Sequence, residues 1–408
     1  MGPGTNDDSE ACPENVKGGS SITPPRGASP SEDLPGIDGS GAPALAQRID
    51  ARSRPLEATD FYNNHDFDTS WPSEFSIRRN IRETNFFEAR KELNTKGDEL
   101  EVFFEDPEAN PSRSALEVVG KFCRGVELKD IIKKRGTSGT SRKVWLDERC
   151  SISDLEGSGD LEESGEKRQQ NNPLTAFGLY NALMMPRYDQ EKLPDAARRL
   201  IYISDLDPEC IYALVATASS HQAPVLGNAI YQHLNLQTSI EVNFPTDGYS
   251  TFALALNLPF FLLRDVGPEQ TETETNTKPQ RIWTDLDFLE LEGGDARAQE
   301  TKRTWGMYEA HMSCVVSGTD DHRWVGYGFF DAEIDGLLHD MSELDLSMDQ
   351  IAFGSFKADP PVWRPRDYWL KVFEKRIDQV MREWEYLVHK LELGIYKYVR
   401  TRLCRSRQ

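Results

Sequence analysis

The sequence lacks the features that mark membrane-spanning, secreted and disulfide-rich proteins. Its longest apolar run, residues 251–263, is interrupted by Asn257 and Pro259 and is far shorter than the roughly 20 residues that span a bilayer. The first thirty residues contain no basic stretch followed by an apolar one, as a cleavable signal requires. The six cysteines are far apart and form no Cys-x-x-Cys pair, which is typical of reduced thiols inside the cell. We therefore expect a cytoplasmic protein that is at most peripheral to a membrane.

Positive charge is also scarce. The chain has 47 Lys and Arg against 68 Asp and Glu, a net charge of −21, which excludes nucleic-acid binding by the chain as a whole. Residues 364–408 are the exception, with 12 basic and 6 acidic residues and a net charge of +6. Two interpretations of this basic end are open. The cations complement a helix dipole and keep the end in solution, or they bring it close to an anionic membrane surface.

Composition divides the chain into three parts. Residues 1–57 contain no aromatic side chain, and Gly, Pro and Ser supply 23 of the 57 positions, so this segment is predicted to be a disordered tail. Residues 58–363 are predicted to form one domain with flexible acidic insertions near 151–172 and 266–280. Residues 364–405 are predicted to form a long stalk-like helix.

Apolar periodicity predicts both strands and helices in the domain. We expect strands at 100–104, 144–146, 199–205, 240–244, 252–263 and 282–291. Helices are expected at 81–93, 114–123, 225–234 and after Asp207, which would cap a helix beginning at Pro208. Residues 318–322 are five turn-type residues between two β-rich runs, 308–317 and 324–330, which indicates a hairpin. The predicted fold class is α+β or α/β, with a mixed, partly antiparallel sheet flanked by helices and followed by a long C-terminal helix. Pro259 is expected to shorten or bulge its strand.

The predicted C-terminal helix has a heptad pattern. No proline follows Pro365, so a helix over about 366–402 would be on the order of 55 Å long. Its apolar residues recur at spacings of three, four and seven, with a gap at Gly394, and this pattern predicts a coiled-coil seam. The predicted oligomer interface consists of Phe373, Ile377, Val380, Trp384, Leu387 and Leu391, with Tyr398 continuing the seam.

Motifs for chemistry are absent or weak. There is no nucleotide-binding loop, HExxH or GxSxG motif, so we predict that the protein is not an enzyme. Asp331, Glu333 and Asp335 follow the hairpin at alternate positions and could converge on Mg²⁺ or Ca²⁺ through hard oxygen ligands. Asp331 and Asp335 are accordingly the candidate metal ligands, with Mg²⁺ as the candidate cofactor. A solvated acidic loop is the alternative.

Several segments resemble the fungal CorA-like proteins, which are related to CorA-type magnesium channels. The similar segments are RRLIYISDLD at 198–207, ATASSHQAP at 216–224, LPFF at 258–261, WVGYGFFD at 324–331 and PVWRPRDY at 361–368. The resemblance covers about half of the chain. It implies an α/β cytosolic domain and a stalk helix that in the family leads into two membrane spans and assembles as a pentamer.

The sequence departs from the CorA pattern in two places. The family's Gly-Met-Asn motif is missing, because Gly306-Met307 is followed by Tyr308. The hairpin continues as Asp331-Ala-Glu-Ile334, where the family has an Asp-Thr-Tyr-Phe-like sequence. Without spans or a filter the chain is not expected to conduct ions alone. A shortened transporter remains one interpretation.

The sequence therefore predicts a non-catalytic protein that acts by interaction or regulation related to divalent metal-ion transport. Its expected partner is a second copy or a CorA-like membrane transporter, bound through the C-terminal helix. A cation sensor using Asp331 and Asp335, and a scaffold with no metal role, are alternatives. An enzyme whose site is assembled from distant residues is a third.

Overall fold

The computed structural model describes residues 75–79, 83–90, 98–104, 113–133, 141–150, 167–190, 193–244, 251–266, 282–289, 291, 304–331 and 345–405. All of them belong to one compact unit, Thr69–Gln408. The predicted tail 1–57 lies outside the described residues. Of the predicted insertions, 167–172 and residue 266 are described, and the rest lie outside the described ranges.

Eight α-helices are described. They are α1 Phe86–Arg90, α2 Glu99–Phe104, α3 Arg113–Phe122, α4 Leu128–Lys133, α5 Ala176–Leu183, α6 Pro208–Thr217, α7 Ala223–Leu234 and α8 Pro365–Arg405. Seven strands are β1 Val144–Arg149, β2 Arg198–Ser204, β3 Ser239–Asn243, β4 Phe252–Val266, β5 Trp283–Asp285, β6 Thr304–Gly318 and β7 Trp324–Phe330, and a 3-10 turn at Asp287–Leu289 follows β5.

The seven strands form one mixed sheet in the order β1-β2-β7-β6-β4-β3, and β5 pairs with β6 outside this path. Strands β2 and β7 are parallel, with Arg198 opposite Trp324. The other described pairs are antiparallel. The predicted mixed sheet with a long C-terminal helix is therefore confirmed, and the fold is α+β.

The structure confirms three local predictions: the cap of α6, the hairpin and the buried strand at 199–205. The Asp207 side chain accepts a hydrogen bond from the backbone N–H of Cys210 at 2.7 Å, and Pro208 occupies the first helical turn of α6. The predicted hairpin is the β6–β7 pair. The predicted strand at 199–205 is β2, and every residue of it is buried.

Three predictions of local structure are wrong. Residues 100–104 form helix α2, because Leu100, Phe103 and Phe104 lie at helical spacing and are all buried on one core. Residues 282–291 do not form one strand, since β5 ends at Asp285 and the 3-10 turn follows.

The third concerns Pro259, which neither shortens β4 nor introduces a bulge. It stays in register opposite His311. Strand β3 covers only Ala253–Asn257 of β4. The edge of β4 beyond Asn257 therefore has no β3 ladder that needs the missing proline N–H.

The two faces of the sheet bury different cores. Alternation along the strands sends Val144, Leu146 and Ile201 to the face covered by α1–α7. Trp145 and Tyr202 point to the opposite face, which α8 and the segment 345–358 cover. A sheet covered on both faces explains why β1, β2 and β7 are buried along their whole length.

Candidate functional site

One face of α8 packs on the chain's own sheet. Tyr368, Val372, Val380 and Leu387 are buried there, mainly against β4 and β6. Arg376 on the same face is fully buried, donates from Nε to the Ile351 carbonyl at 2.8 Å, and lies 3.7 Å from the centroid of the Phe330 ring. The first half of α8 is thus part of the core.

Two contacts fix the middle of α8 along its length. The Arg264 guanidinium donates to both carboxylate oxygens of Glu383, at 2.8 and 2.9 Å. Farther along, α8 comes so close to the 3-10 turn that a Cβ atom at Gly394 would overlap the Leu291 side chain. The gap in the heptad pattern at Gly394 therefore marks a close approach between α8 and the turn.

A second apolar face of α8 points to solvent. It follows an unbroken repeat of four and three residues, and we call it the outer stripe: Ile377, Met381, Trp384, Val388, Leu391, Ile395 and Tyr398. Met381, Trp384, Val388 and Ile395 are 54%, 42%, 57% and 51% exposed. Ile377 and Leu391 are half-buried at the border with the inner face. Large apolar side chains exposed in a continuous row mark an interaction surface.

The predicted interface residues divide between the two faces of α8. Val380 and Leu387 are buried in the chain's own fold, and Phe373 is half-buried against the same core. Ile377, Trp384 and Leu391 belong to the outer stripe, where the Trp384 ring contacts Phe261 edge-on at 6.0 Å between centroids. Sequence reasoning missed Met381, Val388 and Ile395, although their spacing of seven was visible in the sequence.

Charge is distributed unevenly beside the outer stripe. Asp378, Glu385 and Glu392 are exposed and recur every seven residues along one border. Exposed Lys397 and Arg400 lie near the other end of the helix, where the sequence adds Arg402 and Arg405. The middle of the stripe is thus bordered by acids, and the C-terminal end of the helix is basic.

The candidate metal ligand Asp331 is buried at the end of β7. Its Oδ2 accepts a hydrogen bond from the backbone N–H of His311 at 2.7 Å, and its Oδ1 lies 3.7 Å from His233 Nε2. Asp335 and Glu333 lie outside the described residues. Within the described ranges no group of three His, Cys, Asp or Glu side chains is arranged to hold a metal ion.

The same region has a serine, a histidine and an aspartate in contact. Ser313 Oγ lies 3.1 Å from His233 Nδ1, which puts Ser313, His233 and Asp331 in a row. Ser313 and His233 are fully buried, whereas a nucleophile must be reachable by substrate. We therefore interpret this row as a polar contact that joins α7 to β6 and β7.

Ion pairs are buried on both faces of the β1–β2 pair. Asp147 accepts from Arg149 Nε at 3.0 Å and from Arg198 Nη2 at 2.7 Å. Burial alone would raise the pKa of Asp147, but Arg198 and Arg149 hold it below its ordinary value. On the opposite face Glu148 accepts from Arg199 Nε at 2.7 Å. These pairs let charged residues occupy the core.

No family model matches the chain, and no curated protein or solved structure matches it significantly. The resemblance to CorA-like proteins therefore stays a prediction. In the part of the chain that the structure describes, none of the helices combines the length and the hydropathy that a membrane span needs.

Proposed function

We propose that this protein is a non-catalytic interaction protein that self-associates through the outer stripe of α8. The observation that supports the proposal is the row of exposed apolar side chains on a helix whose other face is already packed. Because α8 is held by the sheet, the stripe is ordered before binding, which lowers the entropic cost of association. A heptad-spaced stripe of this kind pairs well with another helix.

The charges beside the stripe favour a second copy of the chain in an antiparallel arrangement. In an antiparallel helix pair centred on Leu391, Trp384 of one copy lies level with Tyr398 of the other. The acidic middle of each helix, with Asp378 and Glu385, then lies level with the basic C-terminal end of its partner. In a parallel pair acids would lie level with acids and bases with bases, which opposes association.

The antiparallel pair differs from the parallel stalk assembly that a CorA-like protein would form. Regulation of divalent metal-ion transport, through such a transporter, remains a proposal that rests on the resemblance alone. A scaffold with no metal role would use the same surface. The two are separated by measuring the mass of the protein in EDTA and in about 10 mM Mg²⁺, since only a cation sensor changes its assembly with Mg²⁺.

The first test is the mass of the full chain in solution, measured by light scattering over a range of concentrations. We expect a dimer that Val388→Asp converts to a monomer, because the substitution would bury a charge in the contact. Val242→Asp is the matched control, since Val242 on β3 is 60% exposed and lies away from the stripe. A wild-type monomer at all concentrations, or a Val388→Asp variant of unchanged mass, would contradict the proposal.

The orientation is tested by removing charge. Asp378→Asn combined with Glu385→Gln should weaken the antiparallel dimer, because the acids that lie level with the basic end of the partner helix are lost. A parallel dimer would instead be strengthened, because the same substitutions remove acids that lie level with acids. The sign of the change in the dimer dissociation constant decides between the two arrangements.

A further inference from the structure

A cleft of about 850 Å³ lies on the helical side of the sheet, away from α8. It is lined mainly by the α5–β2 connection, the α6–α7 junction and the residues just before α1. Six of its lining residues are at least nine-tenths buried, and we call four of them the buried wall: Arg187, Tyr188, Arg199 and Ser219. The volume is in the range of sites that hold small molecules.

The arginines of the buried wall are held in fixed positions. Arg187 donates from Nη2 to the carbonyls of Ala197 and Trp324, at 2.9 and 3.0 Å, and from Nη1 to Glu83 at 2.9 Å. The Tyr188 ring lies near two guanidinium groups, with its centroid 5.0 Å from Arg187 Cζ and 4.3 Å from Arg323 Cζ. Arg323 lines a small recess that shares Glu83, Tyr188 and Ser219 with the cleft.

Positive charge exceeds negative charge around the buried wall. Arg168, Arg187, Arg199 and Arg323 face two carboxylates, Glu83 and Glu148. Burial would raise the pKa of Glu148, but Arg199 and Arg168 hold it below its ordinary value, so Glu148 counts as an anion. Burial also lowers the pKa of His221 in the recess, which leaves this side chain neutral at pH 7.

Two hydroxyl groups of the buried wall have no hydrogen-bond partner among the described residues. Ser219 is 7% exposed and Tyr188 is 9% exposed, yet neither Ser219 Oγ nor the Tyr188 hydroxyl is paired. The Arg323 Nε group is likewise unpaired within the described ranges. Buried polar groups without partners cost free energy unless a ligand or water satisfies them.

Apolar and acidic side chains line other parts of the cleft. Phe87, Leu128, Leu183 and Met184 supply an apolar surface. The remaining acids that line the cleft are Glu88, Glu99 and Asp189, of which Glu88 and Asp189 are exposed. These outer carboxylates would repel a polyanion, whereas a single anionic group at the buried wall would face an excess of cations.

We propose that the cleft binds a small organic anion with an apolar body, whose anionic group is held by Arg323, Tyr188 and Ser219 beside Arg187 and Arg199. Its apolar body would lie on Phe87, Leu183 and Met184. The proposal does not depend on self-association, because no residue of the cleft lies on α8.

The probe is the fluorescent anion 8-anilinonaphthalene-1-sulfonate, titrated into the full chain and then displaced with benzoate or benzamide. These two competitors have similar shapes and differ in charge. We expect benzoate to displace the probe at concentrations at least about tenfold lower than benzamide, since only benzoate makes charge-assisted hydrogen bonds. Equal displacement, or no binding of the probe, would overturn the proposal.

Two variants separate binding from folding. Arg323→Gln should weaken binding of benzoate about tenfold or more, while Arg382→Gln, an exposed arginine on α8, should have no effect. Ser219→Ala should melt at the same or a higher temperature, because it removes an unpaired buried hydroxyl, and should still bind benzoate more weakly. Unchanged benzoate binding by either cleft variant would refute the proposed contact.

Discussion

Asp349 lies where the segment 345–358 meets α8, and it is fully buried. Its Oδ1 accepts hydrogen bonds from the Ala352 backbone N–H at 3.0 Å and from the Tyr368 hydroxyl at 3.2 Å. Its Oδ2 has no partner among the described residues. Burial raises the pKa of Asp349 to about 6, although Arg198 and these hydrogen bonds act in the opposite direction. The charged form of Asp349 therefore works against folding.

This raised pKa predicts a pH dependence of stability. The folded pKa lies above the unfolded one, so the favourable contribution of the neutral acid is complete below about pH 4 and is lost as the pH rises through about 6. The loss amounts to about 3 kcal/mol, roughly half of it between pH 5 and pH 8. Asp349→Asn should remove this loss, as measured by urea denaturation at both pH values. Glu374→Gln, an exposed acid on α8, serves as the control, and an Asp349→Asn variant that keeps the wild-type slope would exclude this assignment.

Residue-scale predictions from the sequence succeeded where one side chain acts on its neighbours. Asp207 and Pro208 define the start of α6 because a cap and a first-turn proline need only a few adjacent atoms. The buried wall could not be predicted in this way. Its residues come from the α5–β2 connection, β2 and the α6–α7 junction, and the pairing of β2 with β7 brings Arg323 to them.

At the scale of single elements, Gly306 on β6 determines how β5 packs. A Cβ atom at this position would overlap the indole of Trp283. Trp283 belongs to β5, the strand that pairs with β6 at Gly306. Gly306→Val should therefore displace Trp283 and lower the free energy of unfolding by about 1–3 kcal/mol. Urea denaturation measures the change.

The cause is checked in a Trp283→Ala background, where Gly306→Val should cost much less because the overlapping ring is gone. An equal cost in both backgrounds would show that overlap is not the reason. Gly120→Ala in α3 is the control for a glycine with open space around it. It should raise the free energy of unfolding by up to about 1 kcal/mol, because alanine favours a helix.

Helices α2 and α8 show where the apolar pattern of the sequence no longer determines the structure of an element. Residues 100–104 are too short and apolar for periodicity to separate helix from strand. Contacts of Phe103 with Phe86, at 5.0 Å between ring centroids, form only in the folded core. In α8 about three of every seven positions are apolar, so two seams can be traced on one helix. Packing of α8 on the sheet determines which of the two seams is buried.

At the scale of the whole molecule, the mixed sheet and the long helix were predictable because strand alternation and helical repeats are encoded in consecutive residues. The packing of α8 on β4 and β6 was not predictable. The interpretation of α8 as a stalk came from a resemblance, and not from the residues that contact α8 in the fold. The Arg264–Glu383 pair shows the difficulty. Its two residues are 119 positions apart, and surface and core charges look alike in a sequence.

The parallel pairing of β2 with β7 has a consequence for biosynthesis. Arg198 pairs with Trp324, which a ribosome adds 126 residues later. At ordinary translation speeds this delay is about 6–25 s. Strand β1 is made before β2 and can protect one of its edges, but the other edge has no partner until the β6–β7 hairpin emerges. An apolar strand with an open edge is prone to pair with other chains. The nascent protein is therefore most vulnerable to aggregation between the synthesis of these two strands, and chaperone protection would matter most in that interval.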